Sequence, residues 1–376
     1  MGYDIIRQMA VRVSRLIFID RLFTPVYLAL SFLLPYSFSK SFYKGQKTIA
    51  IKLFGMGSIV RVANVLKQSN EKNYKFELIT LFKNKNVCEL LKIKAHYIRS
   101  SNPFFIIIDT AKIIFAVWKM KNIRIIDLER TSNLSGIFRL ICSIGKSCSS
   151  FVIQGNSITN RNQNFISIID KPALEVIEEI FEIKKINKEI TPFNYYKNKI
   201  IINCNAGEYL PQRKYPILKY AELIKELSVG YPATTFVLTG MKQEEKYTRE
   251  LDVLLKKEKI SVENKVGKQT LSELVTELKE SKLLITNDSG PLHLASYFQV
   301  PTVAIWGPTS PLLVGYPESD NMKNVTLKLE CSPCFIHPKS KVAKACSNRI
   351  DCLQNLSSTM VFEAAKSILK TRGNVS

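Results

Sequence analysis

The sequence predicts an α/β protein of two domains, each a parallel sheet covered by helices, and three observations carry that expectation. Short apolar runs of strand length recur and stop at small or polar turns: residues 48–54 (TIAIKLF), 76–82, 122–128 (NIRIIDL), 199–203 and 234–240 (TTFVLTG). Residues 282–308 (KLLITNDSGPLHLASYFQVPTVAIWGP) read as strand, polar turn, helix, strand, the repeating unit of parallel sheets. A length of 376 residues suits two cores better than one. Residues 48–190 are the expected first domain and 191–376 the second, with 1–47 a separate unit before them.

The stretch 282–308 organises the second domain. Leu283, Leu284 and Ile285 are uncharged and read as a strand buried on both faces. Thr286, Asn287, Asp288, Ser289 and Gly290 are turn and N-cap residues, and Pro291 suits a first helical turn. Leu292, Ala295, Ser296 and Phe298 would face inward, and the helix must end before Pro301. The next strand runs from Val303 to Trp306 and stops at Gly307 and Pro308. The turn therefore sits at the carboxyl end of a parallel strand, where open α/β sheets bind ligands. The N–H groups of Ser289, Gly290 and Leu292 would be unpaired there and favour an anion, most simply a phosphate. Asp288 either caps the helix or accepts hydrogen bonds from sugar hydroxyls. A well-capped βα unit without a ligand explains the pattern equally well.

Composition narrows the partners. The chain is 46% hydrophobic, and 54 Lys and Arg against 32 Asp and Glu give a net charge of +22. Such an excess favours an anionic partner, or reflects a lysine-rich surface with no specific role. There is no RNP-type motif, run of five basic residues or Arg-rich helix, so nucleic acid is disfavoured. A phosphate-bearing glycolipid and a membrane surface remain. Residues 24–38 form a 15-residue apolar stretch with arginines before it and lysines after it. Pro25 and Pro35 bracket a segment short of the roughly 20 residues of a membrane span. An interfacial helix on anionic lipid is expected, with packing on the first domain as the alternative. No secretory signal is apparent, which points to a reducing cytosol. Cys88, Cys142, Cys148 and Cys204 read as reduced core thiols. Cys331, Cys334, Cys346 and Cys352 fall within 22 residues and suit either a structural zinc site or reduced thiols.

In the first domain, Gly55, Met56, Gly57 and Ser58 make a tight turn after the strand at 48–54, and Ile59, Val62, Ala63 and Leu66 follow at helical spacing. Val60 stands where G-x-G-x-x-G would place its third glycine. Residues 101–121 read as an apolar helix. Residues 122–128 then deliver Asp127, Glu129 and Arg130 to a strand's carboxyl end. Asp127 could be an N-cap and Glu129 a surface charge. Residues 132–142 are the next expected helix and 150–155 a further strand. Residues 171–190 are helical and charged, and the domain boundary is expected near 190. In the second domain, Thr239 and Gly240 end a strand at a ligand-facing edge.

TNDSGPLHLA, followed by VPTVAIWGPTSP, closely resembles the donor-site signature of glycosyltransferase family 9, the lipopolysaccharide heptosyltransferases, and further stretches match in order over residues 48–356. The resemblance implies a GT-B fold: two Rossmann-like domains with parallel sheets facing across a cleft. It implies inverting sugar transfer from a nucleotide-sugar, an ADP-sugar in the family, to a lipopolysaccharide-core or related acceptor at the inner face of the cytoplasmic membrane, with no divalent metal. The donor would meet Asn287, Asp288, Ser289, Gly290, Pro291, Leu292 and His293, together with Thr239, Gly240 and the GKQTL turn at 267–271. Residues 203–216 (NCNAGEYLPQRKYP) resemble the loop that reaches the donor phosphates, with Arg213 the ligand and Lys214 the substitute. An acidic general base follows the glycine turn in the family. Ser58 stands there in this chain, so Asp127 or Glu129 would have to replace it. A nucleotide-sugar-binding protein that has lost its chemistry and an epimerase of the same architecture are the alternatives.

Overall fold

The computed structural model describes residue 25 and residues 47–68, 76–100, 102–129, 133–143, 150–152, 197–207, 211–334 and 350–373. The apolar stretch 24–38 apart from residue 25, Arg130, the charged helix expected at 171–190 and Cys346 lie outside the described residues. The chain divides into two compact units, Met1–Asn187 and Lys188–Ser376.

The first unit carries five parallel strands: β1 (Lys47–Ile51), β2 (Phe76–Leu81), β3 (Lys94–Ile98), β4 (Ile123–Asp127) and β5 (Ser150–Val152), in the order β3-β2-β1-β4-β5. Its helices are α1 (Met56–Gln68), α2 (Lys85–Leu90), α3 (Pro103–Lys119) and α4 (Asn133–Ser143). Central β1 and β4 are apolar and fully buried along most of their length, the reading expected of a strand covered on both faces. Asn102 caps α3, its side chain accepting from the Phe104 amide at 2.9 Å, and Pro103 fills the first turn. Ile113 and Val117 of α3 join Ile49, Ile51, Ile79 and Ile125 in the core. Edge strand β3 (KAHYI) was not legible in the sequence, because its side chains are mostly half-exposed and mixed in polarity.

The second unit carries six parallel strands: β6 (Lys199–Asn203), β7 (Thr235–Leu238), β8 (Val262–Asn264), β9 (Leu283–Asn287), β10 (Thr302–Trp306) and β11 (Met322–Thr326), in the order β11-β10-β9-β6-β7-β8. The helices are α5 (Ile217–Gly230), α6 (Glu245–Lys257), α7 (Leu271–Glu280), α8 (Gly290–Phe298), α9 (Pro311–Val314), α10 (Asp351–Gln354) and α11 (Ser358–Gly373). β9 and β10 are buried at all five positions, as the apolar runs of 282–308 require. α8 ends on Gln299 in the left-handed conformation, φ 60°. Thr270 caps α7 in a capping box with Glu273. Helix α11 closes the core through Val361, Ala365 and Ile368.

In each sheet the strand order reverses once. The chain works outward from β1 through β2 to β3, then returns to β4. It works outward from β6 through β7 to β8, then returns to β9. The carboxyl ends of β1 and β4, and of β6 and β9, are thus topological switch points, where this class of sheet leaves a crevice.

Candidate functional site

At the β6/β9 switch point the strand ends are tied by amide side chains. Asn203 Nδ2 donates to Thr286 Oγ1 at 2.9 Å and to Ser289 Oγ at 2.8 Å. Asn287 Nδ2 donates to the Asn205 carbonyl at 3.1 Å. Asn287 Oδ1 accepts from the Tyr215 amide and the Tyr220 hydroxyl, each at 3.1 Å. Asn287 is fully buried with both ends of its amide occupied, so it braces the loop that follows β6 against β9. Asn205 Nδ2 reaches the Thr239 carbonyl at 3.3 Å and Thr248 Oγ1 at 3.1 Å. Its buried Oδ1 has no partner among the described residues. Asn203 and Asn205 belong to a stretch quoted from the sequence, but their roles depend on pairing across the sheet and carried no local signal.

Ser289 is the N-cap of α8, in extended conformation, and its side chain makes no capping bond. Helix geometry leaves the first amides without intrahelical acceptors, and those of Ser289, Gly290 and Leu292 have no backbone partner among the described residues. Asp288 is therefore not the cap. It accepts from Arg213 NH1 at Oδ2, 3.1 Å away, and Arg213 NH2 also donates to the Ala206 carbonyl at 2.8 Å. His293 Nε2 lies 4.0 Å from Asp288 Oδ1, while its Nδ1 pairs with the Tyr316 hydroxyl at 3.0 Å. Burial alone would raise the Asp288 carboxyl, but the Arg213 guanidinium and then His293 outweigh it and hold the group below its ordinary value. The carboxylate beside the anion turn is the partner that orients Arg213. Pro291 fills the first turn, and the Leu292 side chain is core, so Leu292 offers only its amide.

The other donor-side residues fall into place around this centre. Thr239 Oγ1 donates to Gln269 Oε1 at 3.0 Å, joining the end of β7 to the GKQTL turn. A Cβ on Gly240 would lie 2.5 Å from Asn205 Nδ2, so only glycine allows that approach. Gly267, at φ +72°, turns back so that its amide donates to the Gly240 carbonyl at 2.9 Å. The Lys214 ammonium sits 4.2 Å above the Tyr247 ring, in a cation–π contact distinct from the position of Arg213.

At the β1/β4 switch point Gly55 adopts φ +82° and Ser58 lies in the first turn of α1, its amide donating to the Gly55 carbonyl at 3.1 Å. Ser58 Oγ accepts from Arg61 NH2 at 2.9 Å. Asp127 is buried. Its Oδ1 accepts from the Glu129 amide at 2.9 Å and its Oδ2 from Ser135 Oγ at 3.0 Å. Burial pushes its carboxyl up from 3.8 to about 7, against the Glu129 amide bond and the Arg139 charge, which act to lower it. Glu129 is also buried, with Oε2 on Lys52 Nζ at 2.8 Å and Oε1 on the Phe54 amide at 2.7 Å. It is not the surface charge the sequence allowed, and it fastens the turn after β1 to the end of β4.

Of the four clustered cysteines, Cys331, Cys334 and Cys352 are among the described residues. Cys331 is exposed, Cys334 partly so, and Cys352 is buried in the second unit's core. Among the described residues no group of three or more His, Cys, Asp or Glu could hold a metal ion. The zinc alternative therefore has no support among the described residues, and Cys346 lies outside them.

Residues 163–344 match the family model "Glycosyltransferase family 9 (heptosyltransferase)". That match is narrower than the motif resemblance over 48–356, and the β1 turn and Asp127 lie outside it. Lipooligosaccharide heptosyltransferase 2 of Campylobacter jejuni is 36% identical over 181 residues, 48% of this chain and 54% of the relative. The chain spans about half the length of the curated relatives it matches. A glycosyl transferase family 9 structure from Veillonella parvula superposes with a TM-score of 0.66 at 16% identity, covering 89% of this chain and 100% of that one. The structure of E. coli ADP-heptose LPS heptosyltransferase II gives 0.62 at 15% identity, covering 87% and 100%. Two parallel sheets with a switch point in each, superposing on these proteins, make the fold GT-B. Residues 163–344, just under half of the chain, are thus similar to glycosyltransferase family 9 heptosyltransferases, and the chain shares the fold of that family's solved structures.

Proposed function

We propose that the chain moves a heptose from ADP-heptose to a saccharide of the lipopolysaccharide core or a related cell-surface glycan, with inversion at the anomeric carbon. The observation that carries this reading is the first turn of α8, whose N-cap side chain leaves the amides free while Asp288 holds Arg213 beside it. A diphosphate there would meet helix amides and a guanidinium, which stabilise charge as it develops on the leaving group. The unpaired Asn205 Oδ1 would accept from a donor hydroxyl. His293, fixed by Tyr316, would bind rather than react. A donor of this kind is named for the E. coli protein of the same fold.

In the transfer, the acceptor hydroxyl gives its proton to a base as its oxygen bonds to the anomeric carbon. The bond from that carbon to the phosphate oxygen breaks, and the nucleoside diphosphate departs. Asp127 is the proposed base. Each of its oxygens accepts one hydrogen bond and keeps a lone pair, and a carboxyl near 7 suits proton transfer at neutral pH. Ser58 has no such basicity, and both Glu129 oxygens are committed to Lys52 and the Phe54 amide. Fixed cations and amides would serve in place of a divalent metal, so chelators should leave the rate unchanged. The acceptor would be anionic and membrane-borne, with the chain working peripherally at the cytoplasmic face of the inner membrane.

Incubation of the protein with ADP-heptose, with and without lipopolysaccharide-core acceptor, tests the proposal. ADP release that depends on acceptor is expected. Donor binding with no release would favour a binding protein that has lost its chemistry, and isomerised donor would indicate an epimerase.

A further inference from the structure

We propose that α3 is a membrane-docking element that lies on an anionic lipid surface. Apolar residues surround this helix on nearly every side, a pattern that belongs to a helix covered all round. Ile113 and Val117 are buried against the sheet. On the opposite face Phe104, Ile107, Phe115 and Trp118 are 62%, 69%, 59% and 43% exposed, with no described residue covering them. At 3.6 residues per turn these four and exposed Ala111 fall within an arc of about 80°. Among the described residues, four of the eleven large apolar side chains exposed to solvent lie on this one helix, so the patch is concentrated rather than scattered.

The charge around the stripe selects the occupant. Lys112 and Lys119 follow one margin two turns apart, and the Lys119 ammonium rests 4.1 Å above the Phe115 ring. The only acid of α3, Asp109, is buried and held by Arg99 at 2.7 Å. Among the described residues the exposed face thus combines aromatic and aliphatic side chains with lysine and no free carboxylate, the composition of helices that lie in the headgroup region of anionic bilayers. Among the described residues no helix is long and apolar enough to cross a membrane. The 17 residues of α3 span about 25 Å, short of a hydrocarbon core of roughly 30 Å, so the helix would lie in the interface. Trp118 keeps its indole N–H on the Ile141 carbonyl at 2.9 Å while the residue stays 43% exposed, and tryptophan is enriched at membrane interfaces.

The chain supplies its own probe. It has two tryptophans, and Trp306 is fully buried with its indole N–H on Asn324, so a lipid-induced change in emission reports Trp118. Full-length protein is titrated with phosphatidylglycerol–phosphatidylcholine vesicles and with pure phosphatidylcholine vesicles. A shift of emission to shorter wavelength and loss of acrylamide quenching are expected with the anionic vesicles. The F104S/I107S/F115S variant should lose the shift and bind at least about tenfold more weakly, given the apolar surface it removes. Three results would overturn the proposal: no binding to anionic vesicles, binding that leaves Trp118 emission unmoved, or Trp118 already shielded from acrylamide without lipid. The last would mean that residues 1–46 or a second copy cover the stripe. The docking surface does not rest on the transferase reading, because acceptor-dependent ADP release can fail while the Trp118 shift persists.

Discussion

Asp127 and Glu129 leave the same strand two residues apart and meet different surroundings. Glu129 faces a lysine and a backbone amide, whereas Asp127 accepts from a hydroxyl and an amide and feels the Arg139 charge without an ion pair among the described residues. Removing one partner of a buried ion pair strands the other, so Glu129→Gln should destabilise the first unit by about 3 kcal/mol in urea melts. Asp127→Asn should behave in the opposite way. The folded carboxyl holds its proton to about 7, while the unfolded chain releases it near 3.8. The folded state binds more protons between those values, so wild-type stability falls as pH rises through that window. The Asn variant removes that slope and should gain on the order of 2 kcal/mol over wild type at pH 8, measured against pH 5. Its ADP release should nonetheless drop by about a hundredfold with donor affinity unchanged, the mark of a lost base. Arg213→Gln should lower kcat/KM by at least about a hundredfold through loss of leaving-group stabilisation. Asp288, held below its ordinary value mainly by Arg213 against the effect of burial, adds stability at neutral pH that is lost only as pH falls below about 4. The Arg213 variant should therefore lose stability at pH 7 but lose little at a pH low enough to protonate Asp288 in the folded state as well. The sequence placed these residues at strand ends. It could not separate Asp127 from Glu129, because their difference lies in partners up to 77 residues away.

At the scale of elements, the two switch points account for where the chemistry gathers. Central strands announce themselves, since burial on both faces demands continuous apolar runs such as Leu283, Leu284 and Ile285. Edge strands β3, β8 and β11 have mixed or polar faces and gave no such signal. The turn before α8 was legible from its cap and proline chemistry, yet the role of Asp288 was not, because Arg213 reaches it from another loop. Asn287, read as a donor ligand, proves to be a brace for β6 and β9. Gly240→Ala tests how tightly this edge is built. The added methyl would meet Asn205 Nδ2 at 2.5 Å, so the buried Asn205 amide must leave its place between Thr239 and Thr248. ADP-heptose affinity is expected to fall at least about tenfold, while melting changes by no more than about 2 kcal/mol.

Across the whole molecule, the family match lies mainly in the second unit, where the signature around α8 is, and the first unit carries the departure at Ser58. That asymmetry has a physical basis: a donor diphosphate needs one fixed geometry of amides and cation, whereas a base can come from any carboxylate within reach. The excess of +22 suits an anionic acceptor and an anionic surface, and α3 offers a place where the surface would be met. All of this turns on whether the carboxyl edge between β6 and β9 holds the diphosphate. Hydrogen–deuterium exchange of the full-length chain, with and without ADP-heptose, tests that most directly. Slower exchange confined to residues 203–214, 239–242 and 286–293, abolished by Arg213→Gln, is the outcome the account requires. Unchanged exchange there at saturating donor, or protection centred elsewhere in the chain, would contradict it.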